Sequence, residues 1–405
     1  MVTFGAAGPQ GVRELIGLRL IDDADWHDPY PIYREARAAA PLISVPEEDE
    51  FLSLHWADCE RILRDPTFSS NVSHRRRQVD GAGTVMDFEL PVLLFMDPPD
   101  HTRMRNLVSR AFTPRTVEQL RPHVAELVDG MLDRADPAGF DLIESVAYPL
   151  PVTVICELLG VPVADQHLFG PWSHDVSRLL DGDIDPDALN AGLAAFLHLV
   201  GYLTDLFAER RVAPREDLVS ALLAVEEEGD RLSEQELKAI VLLLFVAGHE
   251  TTMNLIGNGT VALLQNRDQW DRLCADPGLA QSAVEELLRY DGPVHATQRF
   301  ATVPSNVAGA DLEPGQGVIV HLAAANRDPA RFERPDELDI GRPDVQQLTF
   351  SHGIHYCLGA ALARLEGQET FKALTRRFPR LELAEAPVHR DHFVLRGYSA
   401  IHVSG

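Results

Sequence analysis

The segment Phe350-Ser351-His352-Gly353-Ile354-His355-Tyr356-Cys357-Leu358-Gly359 holds the residue with the most distinctive chemistry. Three of the four cysteines, Cys59, Cys156 and Cys274, sit in apolar helical patterns and read as core residues. Cys357 lies between glycines and directly before a helical pattern. An ionised sulfur is a soft ligand that suits iron. The positive end of the following helix favours the thiolate form. Gly353 and Gly359 let the backbone turn tightly around the sulfur. A lone cysteine is more often a packed structural residue, so the neighbourhood carries this reading.

Ala247-Gly248-His249-Glu250-Thr251-Thr252 interrupts a long apolar helical pattern. Gly and paired Thr are poor choices for a helix interior. An acid beside a hydroxyl in a helix groove can order water and relay protons. The plain alternative is a threonine patch bonding back to the preceding turn. His249 is read as packing rather than as a ligand. Glu286 and Arg289, three residues apart, share a helix face and can pair, although that spacing is common by chance. Asp97-Pro98-Pro99-Asp100 is a good helix start, which puts His101 and Arg105 on one face. Arginine there suits two-bond capture of a carboxylate.

Together these segments resemble the cytochrome P-450 family. Its cysteine loop, Phe-x-x-Gly-x-(His/Arg)-x-Cys-x-Gly, is matched by Phe350, Gly353, His355, Cys357 and Gly359. The resemblance runs from about residue 25 to 403, with the motif groups in the family's order. It implies haem b, with Cys357 as axial ligand to the iron and thiolate ligation favouring O–O cleavage. Ala247, Gly248, Phe350 and Gly359 would line the haem. Glu250 and Thr251 match the oxygen-activation motif, as relay acid and hydroxyl. His101, Arg105, Arg299 and His355 match positions that meet the haem propionates. Glu286 and Arg289 match a structural pair that holds the fold around haem, with Arg342 the expected third member.

The implied fold is mainly α with small β-sheets, a triangular prism with a long central helix over the haem. Residues 25–405 read as one domain after a flexible segment 1–24. The implied reaction inserts one atom of dioxygen into a small apolar molecule, by hydroxylation or epoxidation. Polyketides, terpenoids and steroids fit such a pocket, with Val92, Leu93, Leu94, Leu243, Ala247, Val294 and Ala296 as expected walls. Oxidative coupling or dehydration on the same haem remains an alternative, and a haem sensor without turnover is a further one that the retained Glu250-Thr251 pair speaks against. Electrons would come from NAD(P)H through a separate ferredoxin and ferredoxin reductase. Arg110, Arg115 and Arg364 are candidates for the partner's docking patch. Asp181, Asp183, Asp185 and Asp187 read as a solvated acidic loop, and Arg75-Arg76-Arg77 as surface.

A net charge of −26 argues against general nucleic-acid binding, which needs a cationic surface. The few scattered cysteines suit a reducing compartment. The N-terminus lacks a signal pattern, and the longest apolar run, Ala239 to Gly248, falls short of the ~20 residues of a membrane helix. A cytoplasmic monomer follows as the expectation.

These residues need elements to hold them. Helical periodicity covers 29–40, 56–65, 98–133, 146–160, 165–180, 187–210, 216–227, 234–266, 267–274, 278–290 and Leu358 to Phe378. Strand patterns lie near 42–54, 297–302, 306–308, 317–320 and 380–403, so the β-richer parts are about 40–60, 295–325 and a C-terminal hairpin. Pro329 to Gln347 reads as coil. Ser233 and Glu236 form a capping box ahead of the central helix, which would be ~50 Å long.

Overall fold

A computed structural model describes residues 28–45, 49–76, 90–109, 112–179, 186–224, 226–227, 230–390 and 394–405. The segment 1–24, Arg77, Arg110, Asp181, Asp183 and Asp185 lie outside the described residues. In chain order the helices are α1 (Tyr30–Ala39), α2 (Trp56–Arg64), α3 (Asp100–Ser109), α4 (Pro114–Glu118), α5 (Arg121–Leu132), α6 (Pro149–Leu159) and α7 (Gln166–Arg178). They continue with α8 (Pro186–Val212), α9 (Leu218–Ala224), α10 (Glu234–Gln265), α11 (Arg267–Ala275), α12 (Ala280–Asp291), α13 (Leu322–Ala325) and α14 (Ala360–Arg377).

The single helix expected over 98–133 is three helices, α3, α4 and α5. Pro114 and Pro122 each sit in the first turn of a new helix, where the missing N–H costs nothing. The short α13 has no periodic signal because it is buried on all sides.

Helix α10 is the axis of the molecule. Its 32 residues remain helical through Ala247–Thr252, so the sequence interruption changes chemistry and not backbone. The Ser233 side chain accepts from the Glu236 amide at 3.3 Å, and Glu236 accepts from the Ser233 amide at 2.8 Å. Such a cap contributes about 1 kcal/mol. The helix packs against α6, α7, α12 and α14. Most of its residues are buried, but Leu243, Leu244, Ala247, Gly248 and Thr251 are half-buried or exposed. Their three- and four-residue spacing makes one open stripe along a buried rod.

By length and composition, α8 and α10 could each cross a membrane, although in α10 the unbroken apolar run ends at His249-Glu250 in mid-helix. Both instead bury apolar faces inside the protein. In α8 the buried positions Gly192, Phe196, Leu199, Leu203 and Leu206 recur at helical spacing and face α7 and α9.

Beside the helices lies a five-stranded sheet. With β1 (Ile43–Val45), β2 (Glu50–Ser53), β3 (Phe68–Ser69), β4 (Thr297–Ala301) and β5 (Gly317–Val320), its order is β1-β2-β5-β4-β3. β5 runs parallel to β2 and antiparallel to β4, pairing Val318 with Arg299. Arg299 is thereby fixed on a central strand. The C-terminal residues Glu382–Leu383 and His402–Ser404 pair with each other, and the latter also with Phe140–Asp141.

Candidate functional site

The loop before α14 is shaped by its glycine. Gly353 has φ +69°, and a Cβ there would run into the carbonyl oxygen of Leu63 on α2. Only glycine allows both. The Cys357 amide then donates to the Phe350 carbonyl at 2.9 Å, closing the loop beneath the sulfur. Helix α14 starts at Ala360, one turn after the cysteine. Burial raises the Cys357 thiol above its ordinary range, against the Gly359 and Ala360 amides and the cations Arg105 and Arg364. The helix-end effect expected from sequence is present, but burial outweighs it.

Four cationic candidates gather at this loop. Arg105 Nη2 donates to the Tyr356 carbonyl at 2.6 Å. The His101 and His355 rings lie 4.5 Å apart. His355 Nε2 and the Ser70 hydroxyl are 2.9 Å apart. Arg299 donates to the Gln298 carbonyl at 2.7 Å and to Thr297 Oγ1 at 3.1 Å. Burial pushes Arg299 down to about 10, and burial with Arg299, His101 and Arg105 nearby pushes His355 to about 3. Burial also lowers His101.

Haem can be tested against this cluster. His101 is buried, and both its ring nitrogens lack a partner among the described residues. Among the described residues no carboxylate pairs with Arg105 or Arg299. Buried cations without counter-charges are costly. Two propionates would meet that need with bidentate geometry. A Cβ built on Gly359 meets nothing within 4 Å, and one on Gly248 meets only Ile155, at 3.8 Å and beyond. The donor set, one sulfur, two arginines outside any ion pair among the described residues and two neutral imidazoles, fits haem.

Thr251 Oγ1 donates to the Ala247 carbonyl at 2.6 Å, the back-bonded geometry of a helical threonine. Glu250 points the other way. It is 1% exposed, and its Oε2 accepts from Arg390 Nη1. His174 Nδ1 lies 3.7 Å from Oε1 and contacts Arg390 Nη2. Burial opposes ionisation of Glu250, yet His174, His249 and Arg390 together hold its pKa well below the ordinary range. His249 Nδ1 sits 3.1 Å from the Ser173 hydroxyl, and its ring stacks near Phe245. It packs against α7 at 0% exposure.

Glu286 and Arg289 are both fully buried, with bonds of 2.7 and 2.8 Å. Arg342 Nε lies 3.1 and 3.2 Å from the two Glu286 oxygens. Arg289 also donates to the carbonyls of Asn326, Pro335 and Glu337, tying the coil after α13 to α12.

The pocket candidates divide. Leu243 and Ala247 lie on the open stripe of α10, and Val92 and Leu94 are half-buried and exposed in the loop before α3. Val294 bridges to the backbone of Leu395. Leu93, at 5% exposure, packs among Met104, Phe169 and Phe245, and Ala296, at 7%, packs among Tyr33, Leu54 and Ile319. Both are buried members of apolar clusters, whereas the other candidates are more open. Arg390, His174, Ser70 and Glu285 have no local sequence signal, since each acts on a residue more than 70 positions away.

Comparisons with known proteins bear on the family and the fold. The family model for cytochrome P-450 matches residues 274–395. The chain is 43% identical over 387 residues to the vitamin D(3) 25-hydroxylase of Pseudonocardia autotrophica, covering 94% of each. It is 43% identical over 385 residues to the cytochrome P-450 monooxygenase PikC of Streptomyces venezuelae, covering 92% of this chain and 90% of that one. The structure of the bacillaene polyketide synthase cytochrome P-450 PksS of Bacillus subtilis superimposes with a TM-score of 0.87 at 36% identity, covering 95% and 98%. The chain belongs to the cytochrome P-450 family of haem-dependent monooxygenases.

Proposed function

We propose that the chain is a monooxygenase that binds haem b through Cys357 and inserts one atom of dioxygen into a small apolar secondary metabolite. The relatives named for a steroid-like vitamin and for polyketides support that substrate class. His101, Arg105, Arg299 and His355 would hold the propionates. Phe350 and Gly359 would lie against the porphyrin on the cysteine side, and Ala247 and Gly248 on the other. When bound, the haem supplies oxygen activation by a thiolate-ligated iron.

The chain's own residues do the rest. The stripe Leu243, Ala247, Gly248 and Thr251 shapes an apolar groove with one hydroxyl in it. Thr251 spends its donor on Ala247 and keeps its oxygen lone pairs for an incoming donor. Glu250 stores negative charge against Arg390 and His174. Release of either contact would let its carboxylate take up a proton from water and then pass it toward Thr251. Electrons would reach the site from NAD(P)H through a ferredoxin and its reductase. A cytoplasmic monomer suits that exchange.

The observation that carries this reading is that Arg105 and Arg299, beside the Cys357 loop, form no ion pair with a carboxylate among the described residues. The test is spectroscopic. Purified, dithionite-reduced protein under carbon monoxide should show a far-red-shifted Soret band, and Cys357→Ser should lack it. A parent without that band ends the proposal. A spin-state screen against apolar metabolites then identifies ligands.

A further inference from the structure

Arg364 was a candidate for a free cationic docking patch. Instead it is held on three sides. Its Nη2 donates to Glu285 Oε2 at 3.1 Å, and its Nε to Glu285 Oε1. Its Nη1 donates to Tyr356 Oη at 3.0 Å. Its Cζ lies 4.5 Å from the centroid of the Phe350 ring. The rings of Phe350 and Tyr356 in turn meet edge to face at 6.4 Å.

Phe350 and Tyr356 are the two residues that fix Cys357. Phe350 accepts the cysteine amide, and Tyr356 precedes it in the chain. Tyr356 is gripped at both ends, its hydroxyl by Arg364 on α14 and its carbonyl by Arg105 on α3. A typical surface ion pair is mobile and contributes little. This pair is bidentate, roughly one quarter exposed on each side, and locked by two aromatic rings. Arg364 and Arg105 both favour the ionised sulfur. Glu285 meets the loop through Arg364 and also through Gln347, whose Nε2 donates to Glu285 Oε2 at 3.5 Å and whose Oε1 accepts from the Phe350 amide at 3.4 Å.

We propose that Glu285 and Arg364 form a fixed charge pair that positions the cysteine loop and sets the reduction potential of the iron bound there. The proposal rests on Cys357 being the iron ligand. Arg364 is the charge that touches Phe350 and Tyr356, so it raises the potential; Glu285, bound behind it, offsets part of that effect. A positive charge near a metal favours the reduced state, and a negative one the oxidised state. The couple is ferric to ferrous, taking one electron from an external reductant with no protein bond made or broken.

The two charges therefore make opposite predictions. The parent is first checked for the red-shifted carbon monoxide band; its absence is a failure of the Cys357 assignment, seen before any variant is made. Potentials are then measured by dithionite titration with mediator dyes. Arg364→Gln should lower the potential, because it leaves Glu285 uncompensated. Glu285→Gln should raise it, by a smaller shift. Arg364→Lys keeps the charge and should stay close to the parent. Shifts of the same sign in Arg364→Gln and Glu285→Gln, no shift in either, or an Arg364→Lys shift as large as that of Arg364→Gln would each overturn the proposal. If Arg364→Gln does not fold with haem, Glu285→Gln and Arg364→Lys decide alone.

Discussion

Glu250 and Arg390 stand 140 residues apart in sequence and form a buried ion pair behind the open stripe of α10. Arg390 comes from the C-terminal β region, and His174 joins the pair from α7. Glu250 is thus tied to two parts of the chain that lie far from the central helix in sequence.

Breaking that pair on one side should cost more than removing both charges. Arg390→Gln leaves a carboxylate that is 1% exposed and short of a partner. The expected loss is about 3–5 kcal/mol, and Glu250→Gln with Arg390→Gln should recover part of it. Urea denaturation of the two single variants and the double variant measures this directly. Additive losses would show that the pair does not couple.

The same pair fixes an acid dependence. The folded-state pKa of Glu250 is held below its ordinary value of 4.5. Its stabilisation is therefore fully present above that value and is lost as pH falls through the lower folded pKa. Between about pH 5 and about pH 3, stability should fall more steeply in the parent than in Glu250→Gln. Denaturation midpoints across that range test the sign.

Glu286 is itself without exposure and holds two arginines, the fully buried Arg289 and the largely buried Arg342. Glu286→Gln keeps the shape and removes the charge that both guanidiniums face. A loss of about 3–5 kcal/mol is expected, with reduced haem content in the purified protein. Thermal unfolding and the haem-to-protein absorbance ratio give both readouts. An unchanged midpoint would place the stabilisation in the carbonyl contacts of Arg289 instead.

Thr251 offers the opposite separation. Its hydroxyl bond to Ala247 is local and half-buried, so Thr251→Ala should change stability by only about 1 kcal/mol. Product formed per NAD(P)H consumed should fall roughly 10²-fold, because the proton acceptor in the groove is gone. The ratio of product to consumed reductant, measured with surrogate redox partners, checks it.

Much of the site was readable in the sequence because each motif is local. The Cys357 loop, the Glu250-Thr251 step and the Glu286–Arg289 pair each lie within ten residues and share a helix face or a turn. Arg342 could be named as the third member because the resemblance carries it. Arg390, His174 and Glu285 could not be named, because their partners are brought near by packing between distant elements. The break of 98–133 into three helices followed from Pro114 and Pro122, whose effect periodicity alone hides. The deep burial of Leu93 and Ala296 was not legible, because apolarity alone does not say how far a side chain is covered.

The unbroken backbone of α10 also fixes a rotational phase. Ala247 and Thr251 share its open side while Glu250 points into the buried pair, a division set by about 100° of turn per residue. Deleting or inserting one residue ahead of Ala247 would swing the hydroxyl toward the packed interior and expel the carboxylate from its niche, leaving composition nearly intact. A change in the helix's residue count would therefore displace both side chains at once, where a substitution touches one.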